Sequence, residues 1–548
     1  MRLLKICKFY LLIIIIITFK WNFANAQSPT GVSNFTGNFE INAQTYKADS
    51  AIEAPAVSEK ILSNGFLNLN YNYNNFSAGI RYEAYQNPLL GFDAGYKGSG
   101  IAYRFASFTS DNLTITAGNF YEQFGNGLIL RTYEQKSLGI DNAFDGLRVQ
   151  YVPFKGVTVK AFIGEQKVYF IKGAGLVRGI DGDFQLNDFL PGWDAKKLKI
   201  ALGGSFVSKY EKDNVASRVL PENVGASAGR LSLIYNKFSF NGEYAYKIND
   251  PSLNNKYIYK PGQAIYLNAT YAKKGLGIKV TSKWLDNMSF RSERGASLNN
   301  LSINYLPAIS KTYTYRLSTL YPNATQPQGE SGYSGEVYYS MKPNSKLGGH
   351  YGTTISINAS TVSDIDRTPA SNDTLGYESK IFSMGNNIFY QDFSLEISKK
   401  ISKSLKLIAT YIYQVYDKNK IEGKTDYQQV TAHIAVVDIT KKITPLKSIR
   451  LEIQHLSTEQ DRGNWAMGLV EFTVAPHWAV NAFDEWNYGN ENSEKRFHFY
   501  NLGFSYSANA TTIGLSYARQ RGGLLCVGGV CRQVYASNGF NINITSRF

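Results

Sequence analysis

From Val32 onward, hydrophobic and polar side chains alternate in segments of roughly 8–12 residues. Residues 66–73 read F-L-N-L-N-Y-N-Y, and Asn74 and Asn75 offer a tight turn. Residues 76–85 return with Phe76, Ala78, Ile80, Tyr82 and Ala84 on one side and Arg81 and Glu83 on the other. The same grammar recurs at Asn236-Lys237, at Lys273-Lys274-Gly275, at Ala475-Pro476-His477 and around 507–510. Side chains alternate across a pleated strand, so the pattern predicts an all-β chain of antiparallel hairpins.

The connections are alternately short and long. The long ones are polar and fall near 48–62, 86–98, 120–145, 166–174, 210–227, 248–262, 286–298, 321–333, 360–386, 417–426, 459–464, 489–496 and 521–537. This is the grammar of a large transmembrane antiparallel β-barrel. The count is about 26 strands, with 22–26 as its range; strands near 175–187 and 299–306 are placed partly for parity. Short turns and both termini then lie on the periplasmic side. There is no composition break suggesting a second domain, and no room ahead of the first strand for a separate plug domain.

The last stretch, 539–548, reads G-F-N-I-N-I-T-S-R-F. Phe540, Ile542, Ile544 and Phe548 share one face; Asn541, Asn543, Thr545 and Arg547 share the other. An alternating strand ending on an aromatic residue is the form of a closing barrel strand, the type read by the barrel-assembly machinery. If the barrel shuts, it pairs antiparallel with a strand near 511–520 and with the first strand near 32–46.

At the other end, Arg2, Lys5 and Lys8 precede an apolar run over 10–17 and an Ala24-Asn25-Ala26 exit. That is a secretory signal peptide over residues 1–26, leaving 27–548 as the barrel. The run is too short for a spanning helix, and no later segment is long and apolar enough. Charge is sparse while tyrosine, phenylalanine and glycine are abundant. A formal net charge of +15 raises nucleic acid as a partner. The basic residues are dispersed with no binding motif, so no nucleic acid is expected. Basic loops against acidic lipopolysaccharide, or a basic lumen, fit better, and the outer-membrane lipid is the expected surrounding.

Beyond the signal the chain keeps Cys526 and Cys531, in C-V-G-G-V-C. Export to an oxidising compartment favours a disulfide; zinc is the rival, weak without a second pair of ligands. The loop they close is expected outside the cell. The histidines are scattered, and no nucleophile elbow, zincin motif or phosphate loop is present. No enzyme, cofactor or metal site is therefore expected.

The densest unusual stretch is 118–134, G-N-F-Y-E-Q-F-G-N-G-L-I-L-R-T-Y-E. Gly125, Asn126 and Gly127 permit a sharp bend. Arg131, Glu134 and Asp141 are candidates for a constriction, though for each of them singly a folded-in loop with structural ion pairs is the favoured account. Arg81, Glu83, Arg148, Lys160, Arg230, Glu243, Asp392, Glu396, Lys406, Arg450 and Glu452 lie opposite the aliphatic faces. Facing lipid they would cost ~2–4 kcal/mol per Arg or Lys, so the alternation places them in the lumen. A lumen so lined is wet or plugged by polar loops.

Residues 118–134, together with G-G-L-L-C-V-G-G-V-C-R at 522–532 and the terminal I-T-S-R-F, resemble an uncharacterised outer-membrane family of Bacteroidota, a family of unknown function. The resemblance runs along most of the mature chain, and the paired-cysteine segment is its more specific mark. Tyr535 stands where the family pattern has proline, and Arg547 where it has serine. The resemblance implies an outer-membrane barrel and supplies no substrate. The expected role is porin-like passage of a hydrophilic solute, with a preference for anions. The other reading is a non-conducting accessory barrel of an envelope assembly or secretion complex, its lumen filled by loops such as 120–145 and 360–386. A surface adhesin or receptor acting through those loops is a third, weaker reading.

Overall fold

The computed structural model describes residues 33–548 apart from 215, 216, 372 and 373. The signal peptide expected over 1–26 lies outside the described residues. Among them, 24 strands form one antiparallel ladder in which each strand pairs with its neighbours in the chain. The first strand, Ser33–Gln44, and the last, Ser537–Arg547, pair with each other from Asn38↔Arg547 to Gln44↔Asn541. The last strand's other neighbour is Thr511–Gln520, as expected. The ladder reaches the final residue: Gly37 and Phe548 exchange backbone hydrogen bonds of 2.8 and 3.0 Å. A side chain at Gly37 would collide with the Phe548 ring, 2.6 Å from a Cβ there. No helix of the described residues is long and apolar enough to cross a membrane.

The short turns gather at one rim. Asn74, Asn236 and Asn509 adopt φ of 50°, 53° and 51°, the left-handed conformation a tight hairpin needs. The outward face carries exposed aliphatic residues such as Ile163, Ile180, Val280, Ile453 and Leu502. Exposed aromatics flank that band: Tyr73, Phe76, Tyr235, Phe238 and Trp478 by the short turns, Tyr210, Tyr246, Trp486 and Tyr500 toward the loops. An apolar band between two aromatic girdles is the outer surface of a membrane barrel.

The expected 26 strands become 24 at one place. Residues 299–306 are not in the wall. They belong to a single connection, 287–328, between Leu276–Asp286 and Gly329–Met341, which pair directly with each other. Residues 175–187 do fall largely within a wall strand, Ile171–Gln185. The long loop expected at 166–174 shrinks to Tyr169 and Phe170.

A ring of 24 strands is wider than the 16–18 strands that already leave an aqueous channel. Wall side chains alone do not fill it. Yet two large apolar clusters lie inside, built from wall residues and loop residues together.

Candidate functional site

Three connections turn into the lumen from the loop rim. The first, residues 121–143, leaves the wall at Phe120 and returns at Phe144, which pair with each other. Its bend is Gly125 and Gly127, at φ +51° and +94°. Asn126 donates through both its backbone N and its Nδ2 to Glu243 Oε2, each at 2.7 Å. A Cβ at Gly125 would sit 2.5 Å from that carboxylate, so glycine is needed for the approach as well as for the bend. Leu128, Ile129 and Leu130 are completely buried against small wall residues including Ala226, Ala245 and Ala264. Alanine at these lumen-facing positions leaves the strap its space.

The second, 287–328, crosses the first. Arg131 N donates to Ile303 O and Tyr305 N to Gly127 O, both at 2.9 Å, and Asn304 Nδ2 donates to Leu128 O at 3.0 Å. Further along, Leu317 and Tyr321 bury themselves against Ile412, Ile434, Val436, Leu456 and Trp465 of the wall. The third is the hairpin Gly523–Val527 and Val530–Val534, closed by the Cys526–Cys531 disulfide. Its tip docks on the second segment. Gly528 O accepts from Tyr305 Oη at 2.7 Å, and Gly529 O from Thr325 N at 3.0 Å. The disulfide loop expected outside the barrel therefore folds back into it. A side chain at Gly528 would strike Tyr305 Oη.

The apolar residues these segments bury against lie in the loop-rim half of their strands: Val224 and Ala226 begin a descending strand, Val362 and Leu456 end ascending ones. The short-turn half keeps polar inward positions. Asn42, Asn481, Asn501, Asn541 and Asn543 line a recess of about 280 Å³ at mid-height of the wall beside the closing seam. The barrel is thus stoppered toward its long loops.

The charged residues read from alternation do face inward, and nearly all are paired. Arg81 bridges Glu83 at 2.7 Å, Glu134 at 3.2 Å, and Asp141. Lys167 meets Asp141 at 2.5 Å, and Tyr121 donates to it at 2.8 Å. Glu83, Glu134 and Asp141 offer oxygens within 4.8 Å of one another, and the charges that hold them are Arg81 and Lys167. Arg148 and Lys160 share Glu122 of the first strap at 2.5 and 3.3 Å. Arg230 lies 2.7 Å from both Asp181 and Asp183. Arg450 joins Asp438 at 2.9 Å and also Glu452. Asp392 accepts from Tyr313 at 2.5 Å and Asn358 at 2.9 Å, while Glu396 only reaches Lys311 at 3.9 Å. Lys406 stands exposed near the short-turn rim.

The constriction expected from Arg131, Glu134 and Asp141 is divided. Glu134 and Asp141 converge on Arg81. Arg131 instead lies over the Tyr305 ring at 4.1 Å and the Tyr133 ring at 5.2 Å. The most buried pair was missed: Lys283 Nζ to Glu330 Oε1, 2.6 Å, both fully buried. Alternation along Leu276–Asp286 puts Lys279 and Lys283 on the lumen face, and that was the available signal.

Burial raises the Asp141 carboxyl, but Lys167 and Arg81 outweigh it and hold it below the usual carboxylate range. Burial pushes neighbouring Glu134 the other way, against Arg81. A depressed carboxyl stabilises the fold above its unfolded-state pKa of about 3.9 and loses that contribution as pH falls through its folded value. Stability is therefore expected to drop below about pH 4, and Asp141→Asn to flatten that acid limb while weakening the barrel at neutral pH. Denaturant titrations of both proteins across pH 3–7 measure this.

Two more cavities flank the hairpin. One of about 670 Å³ lies among the long connections, lined by residues including Glu53, Lys418, Tyr427, Arg462 and Asn490. The other, of about 420 Å³, lies deeper, between 308–323, the hairpin and the wall residues Tyr390 and Gln414. Tyr321, Arg521 and Leu524 border both.

A family model matches residues 4–548, and the chain belongs to that family, described as "Family of unknown function (DUF6029)". No functionally curated protein matches it. Among solved structures it is similar to the siderophore receptor PirA from Pseudomonas aeruginosa, at 8% identity and TM-score 0.42, over 95% of this chain and 81% of that one. It is also similar to the P pilus usher PapC translocation pore, at 7% identity and TM-score 0.41, over 94% and 99%. Pseudomonas aeruginosa OpdQ follows at 10% identity and TM-score 0.33, over 94% and 97%. The barrel rests on the strand ladder itself, and these likenesses add no functional argument.

Proposed function

We propose that this protein is an outer-membrane barrel passing small hydrophilic solutes along a restricted route beside its own stopper. The apolar band between aromatic girdles supports seating in the outer-membrane lipid, with the short turns and both ends of the ladder periplasmic. The long connections then face lipopolysaccharide, and the strand ending at Phe548 is what the assembly machinery reads. One observation carries the passage reading: the two cavities of about 420 and 670 Å³ adjoin one another, with Tyr321, Arg521, Gly523, Leu524 and Val534 lining both. A solute would need those shared residues to move, Tyr321 of the second strap and four of the 521–536 segment, while the first strap stays packed.

Planar-bilayer recording of the purified full chain tests this. The expected result is small, stable steps, well below those of an open pore of this strand number. A specific observation favours a second reading, a non-conducting accessory barrel: the straps are as tightly buried as a protein core. That reading predicts silence in the bilayer and a stoichiometric partner on mild extraction.

A further inference from the structure

The inner cavity has an unbalanced lining. Three cationic side chains, Lys311, Arg316 and Arg521, border it, and no aspartate or glutamate does. Between them stand hydroxyl groups, among them Thr312, Thr314 and Thr319. The outer cavity differs, with Lys418, Lys424, Arg462, Lys495 and Arg521 set against Glu53, Glu422, Asp461 and Glu491.

Behind the cations stand Glu485 and Glu396, and further off Asp392 and Glu452, which Tyr313, Asn358 and Arg450 already engage. Glu485, fully buried, serves two guanidinium groups at once. Arg316 Nε donates to one of its oxygens. Arg521 Nε lies 3.4 Å from the other and, though buried, forms no hydrogen bond. Arg521 Nη2 reaches only the Arg316 carbonyl, at 3.2 Å. The carboxylate nearest Lys311 is Glu396 at 3.9 Å, at the limit of an ion pair. Positive charge in a recess whose own lining carries no carboxylate draws an anion. Guanidinium forks and hydroxyl donors are the groups that bind carboxylate and phosphate oxygens.

We infer that this cavity is a binding site for a small oxyanion, a carboxylate or phosphate compound, held by Arg316, Arg521 and Lys311. The inference rests on the passage reading only in that the site would lie on the solute's route. Arg521, which borders both cavities, would hand the anion from one to the other.

Calorimetric titration of the detergent-solubilised full chain with inorganic phosphate, and separately with citrate, tests the site without requiring conduction. Binding of either probe to the wild type is expected, with phosphate preference marking one source and citrate preference the other. Arg521→Gln should weaken it about tenfold, the loss of one charge-assisted bond. Lys311→Gln should weaken it several-fold, and its partly exposed side chain makes it the variant that keeps the fold. Heat-modifiable migration on a gel confirms that each variant is a closed barrel. Binding of neither probe, or equal binding by wild type and Lys311→Gln, overturns the proposal. A barrel that binds phosphate yet stays silent in the bilayer sinks the passage reading and leaves the site standing.

Discussion

Replacing Lys283 by methionine is expected to destabilise the barrel by about 3–5 kcal/mol, the usual cost of orphaning one partner of a buried ion pair. Lys283 and Glu330 sit on adjacent wall strands and are fully buried because the 287–328 segment lies across them. The pair is also the clamp for that segment. Lys283 Nζ donates to Pro307 O at 2.6 Å, and Glu330 Oε2 accepts from Gln326 N at 2.6 Å. Methionine fills the volume but leaves Glu330 buried with one backbone donor, Gln326 N, and no countercharge. A neutral partner removes that penalty, so the double variant Lys283→Met/Glu330→Gln should recover most of the loss. Urea unfolding in lipid vesicles measures both. A single variant within about 1 kcal/mol of the wild type would mean that water reaches Glu330 and that the lumen is not sealed there.

How much of this was readable in the chain depends on what alternation reports. It reports an extended segment with two different surroundings, and nothing about which partner supplies them. For the terminal strand the surroundings were lipid and lumen, so Phe540, Ile542 and Ile544 against Asn541 and Asn543 gave the correct face and the correct neighbours. Residues 299–306 alternate as well, with Leu301, Ile303 and Tyr305 against Ser302 and Asn304. Their two surroundings are the first strap and the wall, inside the barrel. The period is the same, so the segment was counted as wall.

Another signal was present and went unused. In Val430–Lys442 one face, Val430, Ala432, Ile434 and Val436, is wholly apolar, and the other carries Ala435 and Val437 beside Thr431 and His433. A strand between lipid and water would show one polar face; one that shows none is covered on both. Ala432, Ile434 and Val436 face the lumen and are buried there. Such strands mark where the stopper must lie. The ion pairs could not be assigned in this way, because which lysine meets which carboxylate depends on how the straps cross. Arg131 shows the limit: its sequence neighbour Glu134 joins Arg81, while Arg131 itself lies over Tyr305, far along the chain.

Excising residues 287–328 and joining the strands with a short glycine-serine turn is expected to yield a closed barrel that conducts several-fold more than the full chain. The wall tolerates the cut because Asp286 and Gly329 are already paired at the ends of adjacent strands, so a tight hairpin can connect them. The same holds at Phe120↔Phe144 for the first strap and at Gln520↔Ser537 for the hairpin. Each inward segment is therefore an insertion hung on a complete ladder. The excision strips cover from Val362, Ile412, Ile434 and Leu456, at about 1.5–3 kcal/mol for each side chain that was fully buried. The variant should thus be less stable and more open together. Removing 521–536 alone should open less, since the segment gives that cluster only the small buried Ala536 and the partly buried Leu524 and Cys531. The order of conductance, full chain below hairpin deletion below strap deletion, is what a stopper built in layers requires. Equal conductance in all three would mean that current already bypasses the straps. The cavities beside Arg521 would then be no part of the route.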